Sequence, residues 1–216
     1  MIIYLTGIDG AGKSTIMQSM VEQIFPNEEI VTIWARYRPR MVKMLISRFK
    51  KKYISEDNNG QAVNQQEYSD WHLFKKKITG WKVISRTIFL LQSVDYLAQL
   101  MKVRKIINQN KGKTIIIDRY TLDFIVDQTI NHGNIENHFV TRIFLKKLYE
   151  LDRIFLITVN ETVAFERKND IPSIEYLRER SMLYTHYMHK LPNGVIIDNN
   201  KNIDEALNKI KSYCVI

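Results

Sequence analysis

The sequence predicts an α/β protein in which two layers of helices enclose a five-stranded, mainly parallel sheet. A glycine-rich motif at residues 7–15 directly follows an apolar run at residues 2–5 and precedes a helical pattern. Short β-branched runs alternate with helical patterns along the chain, as in doubly wound sheets with right-handed crossovers. Four successive β-branched residues, 114–117, are typical of a parallel strand that is buried on both faces. These features predict one three-layer α/β/α domain over residues 1–216.

Each element follows from a local pattern. Strands are predicted where β-branched and apolar residues run together between turn residues, at residues 2–6, 30–34, 114–118, 153–159 and 194–198. Helices are predicted where apolar residues recur three or four positions apart, at residues 14–24, 41–53, 68–107 with a break near 79–80, 123–131, 138–151, 161–167, 174–189 and 203–213. The polar stretch 55–66 is predicted to be a loop.

The glycine-rich motif fits the pattern G-x-x-x-x-G-K-[ST] of phosphate-binding P-loops. Glycines let the backbone fold around phosphate oxygens, and the N–H groups point inward at the start of a helix. Lys13 is expected to bridge the β- and γ-phosphates of ATP, and the Ser14 hydroxyl to bind Mg²⁺. The residues predicted to bind the phosphates of ATP are Gly7, Asp9, Gly10, Ala11, Gly12, Lys13, Ser14 and Thr15.

A second polar signal lies at the end of the third predicted strand. Asp118 terminates this strand, and an acid in that position beside a P-loop is where the Mg²⁺ shell is held. A capping carboxylate is the alternative role. Because ligands of parallel sheets bind at the carboxyl ends of the strands, Gly7, Arg36 and Asp118 are predicted to meet at one edge.

The positive charge of the chain is concentrated in one segment. Residues 36–86 hold 13 Lys and Arg against 4 Asp and Glu, so this basic helical insert carries the whole net charge of +9. Such an insert is expected to face polyanions, with a solvated basic face as the alternative. Its stretch 41–52 permits weak contact with acidic membranes. No pattern of aromatic residues over a sheet is present, so no nucleic-acid partner is expected.

The composition excludes several classes of protein. Cys214 is the only cysteine, which excludes an internal disulfide and a cysteine-rich zinc site. No run of about 18 apolar residues is present. The chain enters a strand at its first residues, without a basic and then apolar leader. We therefore expect a soluble protein of the cytoplasm.

Two motifs together carry a resemblance to a known family. A P-loop with an acid at Asp9, and the triplet 118–120 (Asp-Arg-Tyr) after a buried strand, resemble the thymidylate kinase family. Gln128, Arg167 and Glu175 extend the resemblance, which covers most of the chain. It implies a P-loop kinase fold with a lid at about 167–180, the use of ATP and Mg²⁺ to phosphorylate thymidine monophosphate, and a homodimer.

The resemblance also implies roles for individual residues. By position, Asp9 resembles the acid that contacts the sugar hydroxyl of the acceptor, and Arg119 resembles the arginine that holds the acceptor phosphate. Arg167 resembles the lid arginine that steadies the transferring phosphoryl group, a role for which Arg178 and Arg180 are the alternatives. Lys13, Arg119 and Arg167 form the expected catalytic set. Arginine pairs well with phosphate, although a structural ion pair is the alternative for each arginine.

The predicted acceptor site departs from the family pattern. Gln92 falls where the family has a phenylalanine that stacks on thymine, and Tyr96 where it has an arginine that reads the base. Asp123 and Asp127 replace a serine and a tyrosine, and lie four residues apart on one helix face. They would repel an anionic acceptor or bind hydroxyl and amino groups, unless they are simply solvated. The complete predicted acceptor set is Asp9, Arg36, Arg38, Gln92, Tyr96, Arg119, Asp123, Asp127 and Gln128.

Three functions are consistent with the sequence. The first is a kinase that moves the γ-phosphate of ATP to a nucleoside monophosphate, above all thymidine monophosphate. The second keeps this donor but uses an acceptor with a neutral hydroxyl group, such as a nucleoside. The third is a nucleotide-dependent switch or binding protein whose basic insert contacts an anionic partner.

Overall fold

The computed structural model describes residues 1–40, 82–168, 170–200 and 202–214. These residues contain a five-stranded sheet in which every strand pairs in parallel with its neighbours. The strands are β1 (Ile2–Thr6), β2 (Ile30–Trp34), β3 (Thr114–Asp118), β4 (Arg153–Thr158) and β5 (Gly194–Asp198), in the spatial order β2-β3-β1-β4-β5. The predicted five-stranded sheet is confirmed, and its described strands are entirely parallel.

The helices lie close to their predicted positions. They are α1 (Lys13–Ser19, continued by a π-helical segment at Met20–Ile24), α2 (Lys82–Gln109), α3 (Thr121–His132), α4 (Phe139–Leu148), α5 (Glu161–Glu166), α6 (Ile174–Met188) and α7 (Ile203–Cys214). The predicted helix at 41–53, the loop at 55–66 and the break near 79–80 lie outside the described residues, as does most of the basic insert. In the part of the chain that is described, no helix is both long and apolar enough to cross a membrane.

The order of the strands decides which helices share a face of the sheet. The chain steps from β1 to β2 in one direction across the sheet, and every later connection between described strands steps in the other. Right-handed crossovers therefore place α1 on one face and α2, α3, α4 and α6 on the other. Accordingly, α7 packs against α1, while α3 packs against α2, α4 and α6. The chain thus forms the three layers predicted from its sequence.

An aromatic cluster fills the core between α2, α3 and α4. The rings of Tyr96 and Phe124 lie 4.7 Å apart, and those of Phe124 and Phe144 lie 4.9 Å apart. Each of these three side chains is at most 2% exposed. The cluster holds the three helices at fixed positions beside the carboxyl edge of the sheet.

The strand register brings the functional motifs to one level. Leu5 of β1 pairs with Asp118 of β3, and Trp34 of β2 pairs with the same residue. The segments that follow β1 and β3 are therefore neighbours at the carboxyl edge. This is also the point at which the direction of the crossovers reverses, where parallel sheets form their ligand-binding crevice.

We predict that Phe144→Ala lowers the free energy of unfolding by about 3–5 kcal/mol, because it leaves a cavity in the aromatic cluster. Urea denaturation measures this effect. The matched control is Phe139→Ala in the same helix, because the Phe139 side chain is 63% exposed. Its effect should stay within about 0.5 kcal/mol, and equal losses for the two variants would contradict the packing described above.

Candidate functional site

The P-loop between β1 and α1 has a backbone that requires glycine. Gly7 and Gly10 have φ angles of +137° and +83°, which residues with a Cβ atom rarely adopt. A Cβ atom at Gly7 would collide with the carbonyl oxygen of Ile157, and one at Gly10 with that of Ala164. The loop is therefore packed closely against β4 and α5.

Asn199 holds the P-loop from the end of β5. Its Nδ2 donates a hydrogen bond to the carbonyl oxygen of Ala11 at 2.9 Å, and a Cβ atom at Gly12 would lie 2.6 Å from the same nitrogen. Asn199 is 9% exposed. Asn199 was not among the predicted site residues, and its position directly after the last strand was the one available signal.

The Lys13 side chain folds back toward the P-loop. It is buried, and Nζ donates a hydrogen bond to the carbonyl oxygen of Ile8 at 2.6 Å. Burial lowers the pKa of Lys13 to about 7. A phosphate group beside Nζ would favour the charged ammonium form, because an opposite charge stabilises it. Ser14 and Thr15 are exposed in the first turn of α1, where the helix dipole favours anions.

Asp118 ends β3 with a partly buried carboxylate. Its Oδ1 is buried and, in the part of the chain that the structure describes, has no hydrogen-bond partner. Burial raises the pKa of this carboxyl, although Arg119 and Lys13 partly offset the effect. No group of three or more His, Cys, Asp or Glu side chains that fits a metal occurs among the described residues. Asp118 and the exposed Ser14 hydroxyl fit Mg²⁺, which binds few protein groups and keeps waters and phosphate oxygens as its other ligands.

Arg119 is at the centre of the site. Its φ angle of +65° is in the left-handed region, which turns the side chain toward the P-loop. The guanidinium donates to Asp9 Oδ1 at 2.6 Å, to Asp123 Oδ1 at 2.7 Å and to the carbonyl oxygen of Gly7 at 2.9 Å. Arg119 is 7% exposed. It therefore joins the P-loop to α3 through a buried ion pair on each side.

Asp123 is buried beneath this arginine and is 3% exposed. Besides Arg119, its carboxylate accepts hydrogen bonds from the hydroxyl of Tyr4, from the hydroxyl of Tyr184 at 2.7 Å and from the backbone N–H of Tyr120 at 3.0 Å. Burial raises its pKa, but Arg119 and these hydrogen bonds together hold the pKa below its usual value. The alternative that Asp123 is solvated is therefore wrong, because its helix face packs against β1 and α6 rather than against water.

Two tyrosines of this network were not among the predicted site residues. Tyr4 lies in the middle of β1 and is fully buried, and Tyr184 lies in α6 and is 3% exposed. Their positions are 180 residues apart in the chain. A tyrosine in an otherwise aliphatic buried strand was the only signal for Tyr4, since a buried hydroxyl needs a hydrogen-bond partner.

Asp127 organises a second group of charges one turn further along α3. Arg180 of α6 donates to its Oδ1 at 3.0 Å, and the Arg180 guanidinium lies 3.6 Å from the ring centroid of Tyr176. Burial lowers the pKa of Arg36, but Asp127 and Asp9 together raise it above its usual value. We call Arg36, Arg119, Arg180, Asp9, Asp123 and Asp127 the arginine–carboxylate cluster. It contains three arginines and three carboxylates.

Other predicted acceptor residues lie outside this cluster. The Arg38 guanidinium stacks on the exposed ring of Trp34 at 4.4 Å. Tyr96 is 1% exposed, and its hydroxyl donates to the carbonyl oxygen of Ala35 at 3.0 Å. The described contacts of Tyr96 are therefore those of a core residue, and a role in acceptor binding stays a prediction.

The two glutamines differ in their surroundings. Gln92 Oε1 lies 3.2 Å from His132 Nε2 and is partly buried. Gln128 is 3% exposed, and within the described residues its Oε1 has no hydrogen-bond partner. An unpaired buried carbonyl oxygen is costly, so Gln128 is the better placed of the two to accept a hydrogen bond from a ligand.

The candidate lid arginines lie in different places. Arg167 Nη1 is 3.5 Å from the carbonyl oxygen of Gly10, beside the P-loop. Arg180 forms a salt bridge with Asp127 of α3, and Arg178 is exposed. Among these three, Arg167 is therefore the one adjacent to the predicted phosphate site.

Comparison with known proteins finds a likeness in fold. No family model and no curated protein sequence matches the chain. Among solved structures, the thymidylate kinase from Candida albicans is similar, with a TM-score of 0.56 and 18% sequence identity over 98% of this chain and 89% of that one. The predicted P-loop α/β fold of the thymidylate kinase type is thereby confirmed, while the roles of individual residues stay predictions.

We predict that acid destabilises the protein partly by protonating Asp9. Burial raises its pKa, but Arg119, Lys13 and Arg36 outweigh that effect and lower it from 3.8 to about 2. A carboxyl with a lowered pKa adds stability above its unfolded-state value, and this stability is lost as the pH falls toward the folded-state value. The free energy of unfolding should therefore decline between about pH 4 and pH 2.

Urea denaturation at a series of pH values checks this decline. Asp9→Asn should be less stable at neutral pH but should lose less stability between pH 4 and pH 2 than the wild type. Asp204→Asn, at an exposed position of α7, should keep the wild-type profile. An unchanged decline in Asp9→Asn would show that the Asp9–Arg119 pair does not form.

Proposed function

We propose that this chain is a kinase that transfers the γ-phosphate of ATP to a small nucleoside-type acceptor at the carboxyl edge of its sheet. The observation that carries the proposal is the convergence of Lys13, Asp118 and Arg119 on one site, where each contributes to the electrostatic environment of the others. Phosphoryl transfer needs little covalent chemistry from the protein, so positioning and neutralisation of charge account for most of the catalysis.

The donor half of the site follows from the P-loop. Backbone N–H groups at the start of α1 and the Lys13 ammonium would hold the phosphates of ATP, and Arg167 would reach the transferring group from α5. Ser14 and Asp118 would hold Mg²⁺, which when bound neutralises charge that develops on the phosphate oxygens. The fixed loop backbone orients the donor before the acceptor arrives.

Two acceptor classes are supported by different observations. The likeness to a thymidylate kinase supports thymidine monophosphate, although the Candida albicans enzyme is itself described as having broad substrate specificity. The arginine–carboxylate cluster supports the second class, in which the acceptor offers a neutral hydroxyl group. In both cases Asp9 would accept a hydrogen bond from an acceptor hydroxyl.

The remaining expectations stay predictions. A nucleotide-dependent switch would bind ATP but would form no ADP in response to an acceptor, so turnover separates it from a kinase. A cytoplasmic location stays an expectation that rests on the sequence. Weak membrane contact through the basic insert concerns residues that lie mostly outside those described.

We predict that Lys13→Ala lowers acceptor-dependent formation of ADP by at least about 10²-fold, because the charge that stabilises the transferring phosphate is lost. A coupled assay with Mg²⁺, ATP and a panel of nucleosides and nucleoside monophosphates measures the rate. Lys111→Ala, at an exposed turn after α2, is the control and should keep the wild-type rate. Activity of Lys13→Ala within tenfold of the wild type would contradict the proposed donor site.

We also propose that α2 mediates a homodimer. Several of its large apolar residues are exposed, and four of them are Val83 (78%), Leu90 (38%), Val94 (57%) and Met101 (68%). Their spacings of seven, four and seven residues match the a and d positions of a heptad. A helix of 28 residues that carries such a stripe fits the same stripe on a second copy related by a two-fold axis.

We predict that Val94→Glu and Met101→Glu each convert a dimer into a monomer, because a carboxylate would be buried in an apolar interface. Size-exclusion chromatography with light scattering should give twice the chain mass of 25.6 kDa for the wild type and the single mass for the variants. Lys102→Glu in the same helix, at an exposed position, should leave the dimer intact. A monomeric wild type would refute the proposed interface.

A further inference from the structure

We infer that the acceptor is uncharged where it meets Arg119, so that the substrate is a nucleoside or a similar hydroxyl compound and not a phosphate monoester. The inference rests on the proposed kinase function and decides between its two acceptor classes. The supporting observation is that Asp9 and Asp123 both form ion pairs with Arg119, the arginine that a monophosphate would need.

The hydrogen bonds of Arg119 leave little room for a phosphate group. A guanidinium has five N–H groups in a rigid planar fork, and its strongest complexes with phosphate use two of them in parallel. Nη1 of Arg119 already donates to Asp123 and to the Gly7 carbonyl, and Nη2 donates to Asp9. With 7% of the residue exposed, a phosphate that bound Nη1 and Nη2 in parallel would have to displace an existing acceptor.

The charges lead to the same conclusion. Arg119 carries one positive charge, and Asp9 and Asp123 both have pKa values below their usual range, so both are ionised at neutral pH. A phosphate monoester carries about −1.5 to −2 at pH 7. In this place it would lie close to two ionised carboxylates, whereas a hydroxyl compound would bring no charge.

The other two arginines of the cluster differ in their contacts. Arg180 forms a salt bridge of 3.0 Å with Asp127. Burial lowers the pKa of Arg36, but the negative charges of Asp127 and Asp9 raise it. Arg119 and Arg180 therefore each form an ion pair with a carboxylate, and the three arginines and three carboxylates of the cluster carry equal and opposite charge.

The same carboxylates suit a hydroxyl acceptor. The Asp9 side chain is 22% exposed, so its carboxylate can accept a hydrogen bond from a hydroxyl group in the cleft. In the transfer step, the hydroxyl oxygen forms a bond to the γ-phosphorus while the bond from that phosphorus to the β–γ bridging oxygen breaks. ADP leaves, and the hydroxyl proton passes through the Asp9 carboxylate to solvent.

The first test compares acceptors with the wild-type protein. Initial rates of ADP formation with Mg²⁺ and ATP are measured for four deoxynucleosides and for their 5′-monophosphates. We expect kcat/KM for the best nucleoside to exceed that of its monophosphate by at least about tenfold, because an unpaired charge in a binding site is strongly rejected. A preference for the monophosphate would overturn the inference and leave the kinase proposal intact.

The second test releases Arg119 from its partner and does not depend on turnover. Asp123→Asn and Asp123→Ser remove the buried charge, and circular dichroism with binding of ADP shows whether each variant is folded. Isothermal titration of the four monophosphates is then carried out in saturating Mg²⁺ and ADP, which occupy the P-loop. We expect the folded variants to bind the best monophosphate at least about tenfold more tightly than the wild type does.

The control and the remaining outcomes separate this inference from the proposed function. Asp204→Asn should bind the monophosphates as the wild type does. Failure of both folded variants to gain monophosphate affinity would overturn the inference, whether or not the chain is a kinase. If instead the variants gain affinity while no acceptor on the panel stimulates ADP formation by the wild type, the charge argument holds and the kinase proposal fails.

Discussion

The buried ion pair between Arg119 and Asp123 is the interaction on which the rest of the site depends. Removing one partner of such a pair typically costs about 3–5 kcal/mol, because the other charge is left without compensation. Here the pair is extended by Tyr4 from β1, Tyr184 from α6 and the Gly7 carbonyl of the P-loop. One carboxylate and one guanidinium thus connect a strand, two helices and the phosphate-binding loop.

The backbone of Arg119 shows how firmly this arrangement is imposed. A φ angle of +65° is uncommon for a residue other than glycine and is maintained when the surrounding contacts determine it. In this conformation the side chain points back under the P-loop, where it also meets Asp9. The P-loop and α3 are therefore joined through one side chain, which contacts Gly7, Asp9 and Asp123.

The fold alone does not decide the acceptor. Similarity at 18% identity to a thymidylate kinase extends over nearly the whole chain, and the elements that form the P-loop and the end of β3 are those of that fold. Function, however, resides in the side chains that a fold presents. On the donor side these side chains leave Asp118 Oδ1 unpaired within the described residues. Beside α3 they pair Arg119 and Arg180 with carboxylates, and this difference is the physical basis for separating the proposed donor assignment from the proposed acceptor assignment.

Local pattern was sufficient for the elements that the structure describes and for the P-loop. The strands were predictable because β-branched runs such as 115–117 are buried on both faces of a parallel sheet. The P-loop was predictable because the positive φ angles of Gly7, Gly10 and Gly12 favour glycine at fixed positions of one short segment. These are properties of neighbouring residues, so the sequence by itself determined them.

Only the tertiary structure decided the state of the charged residues. The sequence placed Asp123 and Asp127 on one helix face but did not distinguish a buried partner of Arg119 from a solvated acid. It also gave no reason to connect Tyr4 with Tyr184, or Asn199 with Ala11, because these contacts join elements far apart in the chain. Whether a carboxylate is buried and paired depends on what other elements bring to it, and that is set by the packing of the sheet and helices rather than by local sequence.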